Sequence, residues 1–259
     1  MRVQVIDPLG RAPAPDCPGA MADALPCLCQ GRVVGYFQSA PAHAVTDVFF
    51  RAREALAHGR VMILYIDGLG YSLYRRAALP KIKRRFDCRS ARTAYPPLTQ
   101  PCMASMLTGV WPDEHGVLSR RHHRPAVPSL LAEPGAVLIE ADCAPLALEK
   151  EPVLTLPREG ESVDGAVLRA ALPYAASDTP LLIVHFHGLD DWEHDVGDDV
   201  QALSGKLREL DDAVDALCDA FTGTAILCAD HGVHTVDGHG QHGDFDYRDM
   251  FVPYGEAVL

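Results

Sequence analysis

Apolar residues along this chain fall into two patterns. Residues 61–66 (VMILYI), 136–140 (AVLIE), 181–186 (LLIVHF) and 224–228 (TAILC) are short, nearly continuous apolar runs. Runs of this length, bounded by turn-forming residues, predict strands buried on both faces. A further short strand is predicted at residues 2–6. Between the runs the period changes. Residues 45–58 and the segment after Gln100 have helical spacing. In residues 202–221, Leu203, Leu207, Leu210, Val214, Leu217 and Phe221 recur every three or four positions on one face. Strands alternating with helices predict an α/β fold, a three-layer sandwich around a mostly parallel central sheet. In such sheets ligands bind beyond the carboxyl ends of the strands. Asp67, Asp190 and Asp230 each follow a predicted strand, so the pattern predicts that they meet there.

Length sets the organisation. With 259 residues, one large catalytic domain spanning 1–259 is expected. Residues 1–60 form an N-terminal extension of unassigned role, and 119–180 are a small region available for substrate recognition. Residues 8–31, rich in Pro, Gly, Ala and Cys, read as an irregular lead-in.

Composition narrows the function classes. The chain is 48% hydrophobic with a formal charge of -12. That composition supports a core, and the negative field disfavours nucleic-acid scaffolding and anionic membrane surfaces. No apolar run reaches the ~18 residues of a membrane span, and the N-terminal residues lack a secretory apolar stretch. A cytoplasmic protein with no membrane partner is expected. The eight cysteines read as reduced thiols. Cys17, Cys27 and Cys29 could hold a metal, but no fourth ligand follows at matching spacing. Seven of the 12 histidines lie between His185 and His242, and this clustering points to chemistry.

Four segments carry that chemistry. Asp67, followed by Gly68, fits either turn chemistry or a metal ligand at a strand end. Thr99 in YPPLTQP (95–101) falls at a predicted helix N-cap, with Pro101 tolerated in the first turn. It is either a plain cap or a nucleophile whose alkoxide a metal and the helix terminus stabilise. Asp190 and His194 are four apart, a metal-ligand offset on one helical turn. Asp191, Glu193 and Asp195 beside them read as supporting or solvated acids, while His185 and His187 face either the core or the site. The densest segment is 229–244, with Asp230, His231, His234, His239 and His242 among glycines. Mixed carboxylate and imidazole donors suit zinc, with manganese or iron as alternatives. There are enough of them for two divalent ions about 4 Å apart, a pair suited to in-line displacement at phosphorus.

These residues resemble the alkaline phosphatase superfamily, particularly its type I phosphodiesterase/nucleotide pyrophosphatase branch. The matching segments are IDGLG (66–70), YPPLTQP (95–101) with SMLTGVWPDEHGV (105–117), Asp190 with His194, LDDAVDAL (210–217) before ADHGV (229–233), and HGDF (242–245) with Met250 downstream. They stand in the family's order from Val61 onward. The resemblance implies that Asp67, Thr99, Asp230 and His231 hold one metal and Asp190, His194 and His242 the other. It also implies that Thr99 is the nucleophile, forming a phospho-enzyme that water hydrolyses. His239 rivals His242, but the Gly after His242 and the later Met match the family pattern better.

Three departures bear on substrate. Where relatives carry an Asn that helps hold the phosphoryl group, Arg120 stands here. It is the substrate-binding candidate, which either clamps the oxygens of a monoester or points to solvent. Only ten residues separate His231 from His242, where relatives often insert a cap. A site with a minimal cap, open or covered by residues 120–180 or by another subunit of a homo-oligomer, is expected. The sulfatase signature C-x-P-S-R is absent, so Cys102 reads as a plain thiol. Eight Lys or Arg in residues 75–92 read as a solvated helix face in preference to an anion-binding patch.

The expected function is metal-dependent hydrolysis of a small anionic phosphate ester, mono- or diester. The alternatives are a phosphomutase, a phosphonate or sulfate ester hydrolase on the same site, or a metal-binding partner protein without catalysis.

Overall fold

The protein is described from a computed structural model that covers residues 4–7, 24–142 and 144–259. Most of the anticipated lead-in (8–23, with Cys17) and the start of the first predicted strand lie outside these residues. In chain order the strands are β1 (Val5–Ile6), β2 (Leu25–Cys29), β3 (Arg32–Phe37), β4 (His43–Ala44), β5 (Val61–Ile66), β6 (Arg89–Arg92), β7 (Ala136–Glu140), β8 (Val153–Leu154), β9 (Leu181–Phe186), β10 (Thr224–Ala229), β11 (His234–Val236), β12 (His239–Gln241) and β13 (Phe251–Val258). The helices are α1 (Asp47–Leu56), α2 (Tyr71–Arg76), α3 (Pro80–Arg85), α4 (Thr99–Thr108), α5 (Pro112–His115), α6 (Val163–Ala175), α7 (Gly188–Val196), α8 (Ser204–Ala220) and α9 (Tyr247–Met250).

Eight strands form the main sheet in the order β4-β6-β13-β10-β5-β9-β7-β8. Every pairing is parallel except those of β13, which runs against β6 and β10. The α/β expectation holds, with one antiparallel strand making the sheet mixed. Every residue of β5 and β9 is buried, which is why their sequences are continuous apolar runs without alternation. Helices α1 and α4 pack together with α1 against β5 and β10, and α6, α8 and α3 form a second cluster with α6 against β9 and β7. Among the described residues no helix is long and apolar enough to cross a membrane.

Two segments took forms that their composition concealed. Residues 25–37, part of the anticipated lead-in and its sequel, fold as the β2–β3 hairpin, which β1 joins in a small sheet. That sheet is anchored by Phe37, fully buried with its ring centroid 5.5 Å from Phe245 and 5.7 Å from Phe251. Burying one such ring stabilises the fold by about 1.5–3 kcal/mol. The hairpin tip donates from the Gln30 amide to Asp113 at 2.8 Å, and β4 extends the edge of the main sheet. The basic segment around α3 is not simply solvated. Arg84 and Arg85 pair with Asp215 of α8 at 3.1 and 2.8 Å. Lys81 pairs with Asp212 at 2.9 Å, and the Asp211 carboxylate accepts the amides of Lys81 and Ile82 at 3.1 and 2.8 Å. Acid positions of LDDAVDAL thus hold α3 onto α8 and satisfy amides that open a helix.

Candidate active site

Four parallel strands deliver the site. Glu140 ends β7, Asp67 follows β5, Asp230 follows β10, and His187 stands just past β9. The chain turns at Asp67 through Gly68, whose φ of +80° suits glycine. A side chain there would also meet Asp190 and the Glu193 carboxylate, so Gly68 lets the β5 loop and α7 close on each other.

Within this cluster the first group is Asp67, Asp230 and His231, all buried. His231 Nε2 lies 3.3 Å from Asp67 Oδ1 and 3.3 Å from Asp230 Oδ2. The Asp230 carboxylate is fixed from behind: it accepts from Tyr65 Oη at 2.9 Å, from the Gly68 amide at 3.2 Å and from its neighbour's amide, His231 N, at 2.8 Å. The second group is Asp190, His194 and His242. Asp190 Oδ2 is 3.2 Å from His194 Nε2, and Oδ1 is 3.9 Å from His242 Nε2. His242 donates from Nδ1 to the carbonyl of Pro97 at 3.0 Å, which leaves Nε2 as its acceptor face. Its ring stacks on His231 with centroids 3.8 Å apart, so the two groups adjoin.

Thr99 differs from its expected position by one residue. The N-cap is Leu98, and Thr99 is the first residue of α4. Its hydroxyl is therefore not spent on a cap, and Oγ1 lies 3.4 Å from His231 Nε2. Arg120 reaches into the same cluster and donates from a guanidinium nitrogen to His242 Nε2 at 2.9 Å. All seven metal-ligand candidates and Arg120 therefore converge. His239, the rival of His242, is exposed on β12. Cys102 is a buried thiol directed at the Ala94 and Pro96 carbonyls.

Could these donors hold cations? Ligands about 2.1 Å from a tetrahedral ion lie about 3.4 Å from one another, close to the spacings in both groups. Asp67 Oδ1 and Asp190 Oδ1 are buried without hydrogen-bond partners, and a cation would satisfy them. Electrostatics point the same way. Burial, followed by the nearby Asp230 and Asp190 carboxylates, pushes the Asp67 carboxyl well above its usual range. Burial and His231 push the His242 imidazole down to about 4, keeping Nε2 unprotonated at neutral pH. Burial works against ionisation of Asp190, but the hydrogen bond from His194, followed by the nearby His231, outweighs it. The residues present fit divalent metal ions, with Asp67, Asp230 and His231 in one possible donor group and Asp190, His231 and His242 in another.

Sequence reasoning left three neighbours unplaced. His185 and His187 both face the site: His185 Nε2 is 3.4 Å and His187 Nδ1 3.8 Å from Asp67 Oδ2. Glu140 was not singled out, yet it is fully buried and bonds both imidazoles. A signal existed. Tyr65 and His185 are register partners, and Ile139 pairs with Val184, the residue before His185. Each of Tyr65, His185 and Glu140 is the polar residue in its otherwise apolar run, so three runs carried one polar row. Glu193 is buried with neither oxygen hydrogen-bonded, while Asp191 and Asp195 are exposed. Burial and Asp190 push the Glu193 carboxyl well above the usual range.

Comparison with known proteins gives the site its context. Residues 61–130, which include Asp67, Thr99 and Arg120, match the type I phosphodiesterase / nucleotide pyrophosphatase family. No curated protein matches the chain. Among solved structures, murine ectonucleotide pyrophosphatase/phosphodiesterase 5 is 17% identical with a TM-score of 0.54, over 69% of this chain and 58% of that one. An inactive variant of the same murine enzyme in complex with AMP gives 16% identity and a TM-score of 0.55, with the same coverage. BT1596, a 2-O GAG sulfatase, is 16% identical with a TM-score of 0.62, over 78% of this chain and 64% of that one. The likeness at these identities is one of fold, and this chain spans less than two thirds of each structure.

Proposed function

We propose metal-dependent hydrolysis of a small phosphate ester through Thr99, for a chain whose residues 61–130 match the type I phosphodiesterase / nucleotide pyrophosphatase family and whose fold is shared with the murine phosphodiesterase and the sulfatase. The observation that carries this reading is the Thr99 hydroxyl 3.4 Å from His231 Nε2, beside two adjoining carboxylate–imidazole groups. In the proposal Asp67, Asp230 and His231, with Thr99, hold one dication, and Asp190, His194 and His242 hold the other, zinc being the first choice.

Two bound dications would lower the pKa of the Thr99 hydroxyl and offset the charge on the phosphoryl oxygens. Thr99 Oγ1 gives its proton to the medium and attacks phosphorus, the bond to the leaving ester oxygen breaks, and the alcohol leaves with a proton taken from the medium. Water then cleaves the phosphothreonine and restores the hydroxyl. Helix α4 supports the step, because Thr99 at its first position stands among amides that favour negative charge. Asp230 keeps its orientation through Tyr65, and His242 through the Pro97 carbonyl. Arg120 is the clamp for the transferred group. It releases His242 Nε2 and donates to phosphoryl oxygens, a role favouring monoesters over diesters.

A screen of phosphate monoesters, diesters, phosphonate and sulfate esters with zinc or manganese tests the reading. Turnover of a phosphate ester, lost in Asp190→Ala together with bound metal, is expected. Turnover of sulfate esters alone would replace the substrate class, transfer to an acceptor without release of phosphate would favour a phosphomutase, and wild-type inertness across the panel would favour a non-catalytic metal-binding protein.

A further inference from the structure

Helix α7 carries Asp190 and His194, yet its own sequence leaves its start without a cap. The N-cap residue is His187, whose backbone is already helical and whose side chain makes no capping bond. Its imidazole is engaged elsewhere, with Nε2 2.9 Å from Glu140 Oε2. The amides that open a helix then need acceptors from another element.

Asp164, in the first turn of α6, supplies one. It is fully buried, and its Oδ1 accepts from the Gly188 amide at 2.9 Å. Oδ2 has no hydrogen-bond partner and faces the Lys206 ammonium of α8 at 3.7 Å. The Lys206 side chain is only 8% exposed and donates to Glu209 at 2.9 Å. Gly188 leaves room for both groups: a Cβ there would stand 2.6 Å from Asp164 Oδ2 and 2.7 Å from Lys206 Nζ. The first residue of α7 is thus gripped by a carboxylate and an ammonium from two other helices. A negative charge at this end also suits the helix dipole.

Asp190 stands two residues after Gly188, and His194 follows one helical turn later, so a displaced first turn moves both donors. We propose that Asp164, with Lys206 as its counter-ion, is a positioning residue for the second donor group, fixing α7 so that Asp190 and His194 meet His242. The proposal rests on the two-cation reading, in which these three residues hold one ion. Asp164 acts through the Gly188 amide and touches neither ion nor substrate.

The test is zinc affinity of the full chain, resolved by equivalent through competition with a chromogenic chelator, with thermal melting reading the fold separately. The second equivalent is identified as the one lost in Asp190→Ala. Asp164→Ala is expected to weaken it by about 10–100-fold and the first equivalent by much less. Asp164→Asn keeps an acceptor oxygen for Gly188 and is expected to restore most of the affinity. Lys206→Met leaves a buried carboxylate without its counter-ion and is expected to weaken the second equivalent by about tenfold. In the Asp164→Asn background the same change should cost little, because a neutral amide needs no ammonium. This cycle decides alone if Asp164→Ala does not fold. Equal weakening of both equivalents in Asp164→Ala, unchanged affinities there, or equal effects of Lys206→Met in the two backgrounds would overturn the positioning role and leave the two-cation reading standing. A wild type with no equivalent that Asp190→Ala removes would overturn both.

Discussion

Arg120 donates to His242 Nε2 at 2.9 Å from 122 residues away, and Nε2 is the nitrogen the proposed second cation requires. In the proposed reading the second cation takes this lone pair, and Arg120 donates to substrate instead. Charge-assisted hydrogen bonds contribute about 1.5–3 kcal/mol each, which corresponds to roughly 10–100-fold in rate. Arg120→Ala is expected to lower kcat/KM on a phosphate monoester by that factor, with a smaller loss on a diester and unchanged metal content. Equal losses on both substrates would remove the clamp role.

Thr99 stands at the first position of α4 with its hydroxyl beside His231. Thr99→Ala is expected to reduce hydrolysis of a chromogenic phosphate ester by at least roughly 10³-fold, while most of the bound zinc remains. Thr99→Ser should recover part of the activity. Intact-mass measurement after an acid quench should find phosphorylated wild type and none in the alanine variant. Undiminished turnover in Thr99→Ala would exclude the residue as nucleophile.

Gly68 tests the closure of the β5 loop on α7. Alanine there must adopt a φ of +80° and place its Cβ against Glu193 and 3.1 Å from Asp190 Cα. Backbone strain of this kind costs about 1–3 kcal/mol. Gly68→Ala is expected to lower the urea midpoint accordingly and to weaken zinc binding, because Asp67 and Asp190 must both shift. Wild-type affinity together with wild-type stability would show that the loop has room to spare.

His115 supplies a pH dependence away from the cluster. Its Nδ1 accepts the Val117 amide at 3.1 Å, and Nε2 lies 2.9 Å from Ser105 Oγ. Burial lowers its pKa to about 4, against about 6.5 in the unfolded chain. The unfolded state thus binds the proton more readily. The stability contributed by neutral His115 is full above about pH 6.5 and declines as pH falls through about 4. The melting temperature of wild type is expected to drop more steeply across that window than that of His115→Gln. Parallel curves would contradict this assignment.

Much of the architecture could be read directly from residue order. The continuous runs at β5, β9 and β10 announced buried parallel strands, since a strand covered on both faces has no polar alternation to show. The aspartates after them announced the site. Helix α8 was legible because one face of it alone meets the core. The β2–β3 hairpin was not, since prolines, cysteines and glycine obscure a strand whose anchor, Phe37, depends on Phe245 and Phe251 more than 200 residues away. The ion pairs between α3 and α8 were hidden for a similar reason: a basic run reads as solvated until its acidic partner is placed.

By itself the sequence pointed to the kinds of donor and to where they stand: Asp67 after β5, Asp230 and His231 after β10, Asp190 and His194 on one helical turn, and a hydroxyl near the start of α4. Those follow from local patterns of burial and spacing. Tertiary structure decided what depends on side-chain direction and register. It brought His242 to the cluster and left His239 exposed, and it freed the Thr99 hydroxyl from capping. It also aligned Tyr65, His185 and Glu140 in one row across three strands. That alignment needs the parallel register of β5, β9 and β7, and a single residue of slip would turn each of these polar groups to the opposite face of the sheet.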